Sequence, residues 1–233
     1  ECLVGNNRMT LYNQILNLPL FQGLSHDDLS NIVAHTKFDF TKVPAGSVIV
    51  KEGEPCKFLR FMLSGTAVVN SHADDNSFSV DEDLSSPIMF EVERLFGLTQ
   101  YHGHTITALT NCSLLVIKKD EVMRLSDKLL IIRINLLNRL ATDVQKLSGL
   151  QWHQLPTSLT GRLLRFFALH TSYPAGHKVF HIKMQTLADN IRESRLNVSR
   201  QLNKWRDDGL ITLSRGFIDI PRLETLLQLK DNP

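Results

Sequence analysis

The run 119–148 constrains the fold of this chain most, because it contains neither proline nor glycine. Its apolar residues recur every three or four positions, a spacing that predicts one long helix. The helix carries two apolar lines. The first has the alternating spacing of a coiled-coil seam and consists of Val122, Leu125, Leu129, Ile132, Leu136 and Leu140. The second consists of Leu130, Ile134, Leu137, Ala141 and Val144.

Two apolar faces on one helix indicate two partners, because each face must be covered by a different surface. We expect one face to pack on a domain of the same chain and the other to pair with a second copy of the protein. The seam from Val122 to Leu140 is the predicted dimer interface. The alternative is a long helix that is covered completely within one monomer.

The sequence before this helix differs from the sequence after it. The stretch 38–117 has short runs rich in Val, Ile, Phe and Thr between frequent Pro and Gly residues, which predicts a β-sandwich or β-roll. Within it we predict a hairpin that turns at Ser64-Gly65 and a polar surface loop over 72–86. A short helix capped by Ser25 precedes these strands. The predicted division is a leader (1–20), a β domain (21–118), a dimerisation helix (119–150) and a C-terminal domain (151–233).

Charge divides the chain near the same place. Residues 1–152 hold 14 basic and 17 acidic side chains, whereas residues 153–233 hold 12 and 7. Only the second part attracts polyanions, and a balance of this size indicates nucleic acid only beside a binding motif. No stretch has the roughly 18 uncharged apolar residues of a membrane span, and no signal-peptide pattern opens the chain. We therefore expect a cytoplasmic protein with no membrane partner.

Cysteine usage and known catalytic motifs exclude several classes of protein. Cys2, Cys56 and Cys112 lie far apart and fit neither a disulfide framework nor a zinc motif, so we expect no metal site. No Gly-x-Ser-x-Gly, Walker loop or paired Cys/His motif occurs. A His-x-His pair ending at His104 is similar to part of a cupin metal site, but Ala108 and Leu109 stand where its Glu is needed. We predict no catalytic residues and no enzymatic activity.

The stretch 183–209 predicts two helices joined by a tight turn, and 210–220 predicts a short hairpin. At about 100° per residue, Val198, Leu202 and Trp205 share one side of the second helix and polar residues share the other. Ser194 can cap this helix, and its arginines, asparagine and serine suit the major groove. The predicted DNA contacts are Ser194, Arg195, Leu196, Asn197, Ser199 and Arg200, with Lys183, Lys204 and Arg215 on phosphates. The alternative is a surface helix whose arginines are only solvated.

Two sets of short motifs follow each other along the chain. The first set consists of Pro44-Ala45-Gly46, Glu52-Gly53-Glu54 and Leu59-Arg60-Phe61-Met62-Leu63-Ser64-Gly65. The second set consists of Thr160-Gly161-Arg162, Leu187-Ala188-Asp189, Ser194-Arg195, Val198-Ser199-Arg200 with Leu202, and Gly209-Leu210-Ile211. In this order, the two sets resemble the β-roll signature and the DNA-binding signature of the cyclic AMP receptor and fumarate–nitrate regulator (Crp/Fnr) superfamily of bacterial transcription factors.

The resemblance implies an α+β chain with an N-terminal double-stranded β-roll, the jelly roll of cyclic-nucleotide-binding domains. A long dimerisation helix and a C-terminal winged helix-turn-helix follow it. The resemblance also implies that Arg195, Leu196, Ser199 and Arg200 read bases, although Leu196 departs from the Glu often found there. RNA polymerase is an implied partner.

The sequence constrains the identity of the effector least. Cyclic-nucleotide sensors of the family hold the ligand with a Gly-Glu pair and a downstream Arg, but here Val92 stands at the expected Gly and no Arg occurs between Leu95 and Met123. Glu93 and Arg94 are the remaining candidates for that role, and we expect an unknown small effector other than cyclic AMP. Three cysteines also do not supply the four thiolates of an iron–sulfur cluster.

Haem stays open as a cofactor, because His102 and His104 would alternate onto one strand face. The alternative is that this pair is a polar strand end that binds nothing.

We conclude that the sequence predicts a homodimeric transcription regulator that binds double-stranded DNA at a roughly palindromic promoter site. A hinge near 151–157 would transmit the effector signal. Two alternatives stay open: a haem-based gas sensor that uses His102 and His104, and a β-roll protein that regulates a protein partner without DNA.

Overall fold

The computed structural model describes residues 12–152 and 156–229. Cys2, most of the predicted leader and part of the predicted hinge lie outside the described residues. The chain divides into two compact units. The first takes the chain up to Ala67 together with Ser85–Gly149, and the second takes Val68–Leu84 together with the chain from Leu150 onwards. No helix among the described residues is long and apolar enough to cross a membrane.

The elements follow the predicted order of a β-rich part, helices, and a helix-turn-helix part, so the predicted fold class is confirmed. In chain order the strands are β1 (Asp39–Val43), β2 (Val48–Val50), β3 (Phe58–Ser64), β4 (Thr66–His72), β5 (Phe78–Ser85), β6 (Ile88–Phe90), β7 (Thr105–Ala108), β8 (Cys112–Lys118), β9 (Lys178–Ile182), β10 (Thr212–Ser214) and β11 (Phe217–Ile220). The helices are α1 (His26–His35), α2 (Val92–Phe96), α3 (Lys119–Lys128), α4 (Leu130–Trp152), α5 (Leu159–Leu169), α6 (Met184–Asn190), α7 (Arg195–Asp207) and α8 (Leu223–Leu227).

The first unit is centred on an antiparallel sheet with the strand order β1-β8-β3-β6, and β2 pairs with β7 beside it. Alternate residues of a strand face the same side. Leu59 and Phe61 of β3 and Leu115 and Ile117 of β8 are therefore buried together in one apolar core. The predicted cap is present, since the Ser25 hydroxyl accepts the N–H of Asp28 and the Asp28 carboxylate accepts that of Ser25.

The predicted hairpin at Ser64-Gly65 is wrong. Strand β3 pairs with β6 and β8, whereas β4 pairs with β5, so the two strands join different sheets. Gly65 makes the turn between them with a φ of 101°, and a Cβ there would lie 2.8 Å from the carbonyl oxygen of Asn111. A turn between two apolar runs is visible in the sequence, but the partner of each run is not.

The predicted single helix is interrupted at Leu129, whose backbone is extended (φ −124°, ψ 107°). Helix α3 ends before this residue and α4 begins after it. The Arg133 side chain donates from Nε to the carbonyl oxygen of Ser126 at 2.9 Å, which satisfies one acceptor that the break leaves free. The interruption needs neither proline nor glycine and is therefore invisible in the local sequence.

The predicted dimer seam requires a correction. Val122, Leu125 and Ile132 belong to the apolar core of the first unit, and Leu129, Leu136 and Leu140 pack against the same core. Val122, Leu125 and Ile132 are therefore not available to a second copy, whereas Leu129, Leu136 and Leu140 are half-buried. The second apolar line is the exposed one: Leu130, Ile134, Leu137, Ala141 and Val144 are all exposed, and so is Leu147 beyond them.

The second unit contains the C-terminal part of the chain and the β4–β5 hairpin. Its strands are hydrogen-bonded in the order β10-β11-β9-β5-β4, and β5 pairs with β9 from Phe78↔Ile182 to Glu82↔Lys178. Val80 of the hairpin lies in one core with Phe167, Phe180 and Leu202. The predicted surface loop over 72–86 is therefore wrong for its second half, because residues 78–85 form a strand.

Candidate functional site

Helices α6 and α7 form the helix-turn-helix that the sequence predicts. Leu187 and Ala188 of α6 are fully buried, as are Val198 and Leu202 of α7, because all four belong to the core of the second unit. The Ser194 hydroxyl accepts the N–H of Asn197 at 3.1 Å, so the predicted cap of α7 is present.

The opposite side of α7 is open. Arg195, Leu196, Asn197 and Arg200 are exposed, Ser199 is half-buried, and no acidic residue lies in the first turn of the helix. The N-terminal end of a helix carries partial positive charge, so this end attracts anions. The side chain of Asn197 is engaged, since its amide donates to Glu193 at 3.0 Å. Asn197 thus helps to hold the turn, and its contact with DNA stays a prediction.

The turn between α6 and α7 is held by Arg162, which the sequence analysis included in a signature motif but not among the site residues. Its Nη1 donates to the carbonyl oxygens of Ile191 (3.1 Å) and Arg192 (3.0 Å), and its Nη2 donates to the Glu193 carboxylate at 2.6 Å. Arg192 has the left-handed backbone that the turn requires (φ 54°). Glu193 also accepts the N–H of Ser194, and these hydrogen bonds lower the pKa of its carboxyl group.

The predicted wing is the β10–β11 hairpin. Its turn contains exposed Arg215 and Gly216, and the glycine has a positive φ of 83°. Strand β11 pairs with β9, which fixes the hairpin to the second unit. Lys183, directly before α6, and Lys204, on α7, are also exposed. All three predicted phosphate contacts are therefore accessible.

The first unit contains a buried polar cluster near the predicted effector residues. His102 is 5% exposed, and its Nδ1 lies 2.5 Å from Oε2 of Glu91. The other oxygen of Glu91 accepts the N–H of Gly103 at 2.9 Å. On the far side of the ring, Nη1 of Arg60 lies 3.3 Å from Nε2 of His102. The sequence analysis included Arg60 only in a signature motif and assigned no role to Glu91, because the local pattern does not show that the two side chains meet at His102.

Ionisation of this cluster follows from these contacts. Hydrogen bonds with Cys56 and with Glu91 raise the pKa of His102 to about 9, although burial opposes this. Burial raises the pKa of Glu91, but the hydrogen bonds from His102 and Gly103 outweigh it, so that the pKa lies below its ordinary value. We conclude that the His102 ring and the Glu91 carboxylate form a buried hydrogen-bonded pair.

The structure alters the predicted roles of the effector residues. His102 and His104 precede β7 and do not share a strand face. Both ring nitrogens of His102 already face protein groups, so haem ligation would have to break one of these contacts. The sequence analysis placed the expected glycine at Val92, but Val92 is buried, and the residue with the left-handed backbone is Glu91, one position earlier (φ 39°).

Glu93 is exposed, and the guanidinium of Arg94 lies against Gly103. Among the described residues, no group of three or more His, Cys, Asp or Glu side chains could hold a metal ion.

Comparison with known proteins agrees with this architecture. The solved structure of the catabolite activator protein of Thermus thermophilus is 21% identical, with 90% of this chain and 96% of that chain covered and a TM-score of 0.50. The sensor domain of the transcriptional regulator DNR from Pseudomonas aeruginosa is 18% identical, with 65% of this chain and 97% of that chain covered and a TM-score of 0.52. No curated protein sequence matches the chain significantly.

Two family models match successive parts of the sequence. Residues 40–128 match the cyclic nucleotide-binding domain, and residues 161–229 match the Crp-like helix-turn-helix domain. These segments contain the β-rich domain and the helix-turn-helix described above, in the same order. The chain therefore belongs to the Crp/Fnr family of DNA-binding transcription regulators.

Proposed function

We propose that the protein acts as a homodimer that binds a roughly palindromic promoter site, with α7 of each copy in one of two successive major grooves. Such half-sites lie about 34 Å apart. The observation that carries this proposal is the division of α7 into a buried apolar side and an open side with Arg195, Leu196 and Arg200. An arginine can donate two hydrogen bonds to guanine, and an exposed leucine can contact the methyl group of thymine.

The remaining contacts would supply affinity without sequence preference. Lys183, Lys204 and Arg215 are exposed and can reach phosphates, and the helix cap at Ser194 leaves the N-terminal end of α7 open to the same anions. As in other regulators of this type, we expect RNA polymerase to be a protein partner. The effector would be a small molecule other than cyclic AMP that acts on the β domain.

The test compares Arg200→Ala with Lys204→Ala. We expect Arg200→Ala to cost about 1 to 3 kcal/mol on the cognate site and to relax base preference, because it removes a base contact. Lys204→Ala should weaken binding to all sequences alike and reduce its salt dependence. Fluorescence titrations with a selected site and with random DNA measure the loss of affinity of each variant. Equal losses on the two DNAs for Arg200→Ala would contradict the base-reading role.

A further inference from the structure

Asn197 lies at the exposed start of α7, and one donor of its side-chain amide is already bound. Its Nδ2 donates to Oε1 of Glu193 at 3.0 Å, and the same oxygen accepts the N–H of Ser194 at 2.9 Å. These two hydrogen bonds join the turn to the first residues of α7. Because Asn197 is exposed, the rest of its amide is accessible to a ligand.

The Glu193 carboxylate is held from the other side by Arg162 of α5. Nη2 of Arg162 donates to Oε2 of Glu193 at 2.6 Å, and its Nη1 donates to two carbonyl oxygens of the turn. The side chains of Arg162 and Glu193 are only 25% and 19% exposed. Since the guanidinium is itself bonded at three points, it fixes the position of the carboxylate.

A carboxylate determines the orientation of an amide that it binds. An ionised carboxylate has only acceptor atoms, so it can face the NH2 group of Asn197 and not its carbonyl oxygen. The Glu193 carboxyl group is ionised, because hydrogen bonds, above all that from the N–H of Ser194, lower its pKa. The second N–H and Oδ1 of Asn197 are then left for an external ligand. A donor beside an acceptor is the pair that adenine requires at N7 and N6.

We propose that Glu193 and Arg162 are positioning residues for DNA recognition, and that they orient the Asn197 amide so that it selects adenine at one position of each half-site. The contacts run from α5 through the turn to the first turn of α7, and Glu193 acts through Asn197 rather than on the DNA itself. This inference rests on the proposed function, because it concerns the choice of base by the same helix.

The test uses Glu193→Gln in the full chain. Arg162 needs an acceptor at position 193, so the oxygen of the new amide faces Arg162 and its NH2 group faces Asn197. The Asn197 amide must then turn its own oxygen inwards, which reverses the pattern that it offers to a base. We expect discrimination between bases at the Asn197 position to fall about tenfold, while the positions read by Arg195 and Arg200 keep theirs.

The binding site is first selected from a random duplex library with the wild type. Fluorescence titrations then use duplexes that differ from this site by one base pair, and Asn197→Ala identifies the position that Asn197 reads. The matched control is Asp208→Asn, on an exposed acid directly after α7. This variant removes the same charge but leaves the turn intact, so it should leave discrimination at every position unchanged.

The combined variant separates positioning from a general loss of structure. If Glu193 acts through Asn197, Glu193→Gln should cause no further loss of discrimination in the Asn197→Ala protein. Three outcomes would overturn the proposal: a loss at every position alike, equal losses with and without Asn197, or wild-type base preferences in Glu193→Gln.

A second variant keeps the proposal testable if Glu193→Gln does not fold. Arg162→Lys retains the positive charge but not the planar fork that bonds two carbonyl oxygens and the carboxylate together. Discrimination should again fall at the Asn197 position only, and unchanged discrimination there would contradict the proposal. A wild type that selects no preferred sequence would refute the proposed function. A wild type that selects a site, with variants that keep its base preferences, would refute only this inference.

Discussion

Glu91 and His102 are buried together, and each changes the ionisation of the other. The carboxylate favours the charged imidazole, and hydrogen bonds with Cys56 and Glu91 bring the pKa of His102 to about 9. In the unfolded chain a histidine titrates near 6.5. A group whose pKa is higher in the folded state stabilises that state fully below the unfolded pKa and loses this contribution as the pH rises through the folded pKa.

We therefore predict that the free energy of unfolding falls between about pH 6.5 and pH 9, by up to about 3 kcal/mol from this group. Urea denaturation at a series of pH values measures the decrease. In His102→Gln the decrease in the free energy of unfolding should be smaller. The decrease that remains comes from other groups such as His177. Burial lowers the pKa of His177, but its hydrogen bonds to Asp83 and Asp219 outweigh this, so that the pKa is raised. Identical pH profiles for wild type and variant would contradict the assignment.

Among the elements, β5 shows how strongly a distant partner determines the environment of a strand. Glu82 of β5 and Lys178 of β9 are completely buried, and their charged groups lie 3.5 Å apart. Glu82 also accepts the N–H groups of Ser172 and Tyr173, and Lys178 donates to the carbonyl oxygen of Ala175. Burial lowers the pKa of Lys178, and the nearby Glu82 carboxylate counteracts this.

Because a buried charge without its partner is costly, we predict that Lys178→Met destabilises the protein by about 3 to 5 kcal/mol. The double variant Glu82→Gln/Lys178→Met should recover part of this loss, since it removes the unpaired buried charge, although the amide oxygen accepts only one of the two backbone N–H groups. Asp208→Ala, on an exposed acid after α7, is the control and should change stability by less than about 0.5 kcal/mol. Urea unfolding of the wild type, Lys178→Met, the double variant and Asp208→Ala measures these differences in stability. A double variant that is no more stable than Lys178→Met would argue against coupling between Glu82 and Lys178.

At the scale of the whole molecule, the proposed dimer raises the question of which face of α4 would meet the second copy. Leu130, Leu137, Val144 and Leu147 are each more than half exposed, and Ile134 is 40% exposed. This line recurs at the three and four spacing of a coiled-coil seam, whereas the line on the other face is packed in the first unit. The exposed line is therefore the one available for dimerisation.

We predict that Leu137→Asp yields a folded monomer, because it places a charge in the proposed interface and leaves the core intact. Leu129→Asp, in the line that packs against the core, should instead unfold the protein. Thr142→Asp, at an exposed position outside the apolar line, is the control and should leave the dimer unchanged. Sedimentation velocity with circular dichroism separates these outcomes, and a Leu137→Asp protein that still sediments as a dimer would rule out this interface.

Much of the recognition unit could be predicted from the sequence, because its signals are local. The periodicity of Val198, Leu202 and Trp205 and the cap at Ser194 extend over a few residues, and the structure has both. The order of the domains was likewise predicted from changes in residue composition and apolar spacing along the chain. Helix spacing, capping and turn chemistry are determined by neighbours within about four positions, so one sequence contains them.

Tertiary structure alone determined which surfaces and charges meet. Both apolar lines of the long helical run fit a seam, and only the packed first unit shows which one is covered. The partners of Glu82 and of Arg162 lie about 96 and 31 residues away, and the burial of Glu91 depends on the loop that carries His102. Such pairs depend on how distant segments come together, a property that the local spacing of residues does not encode.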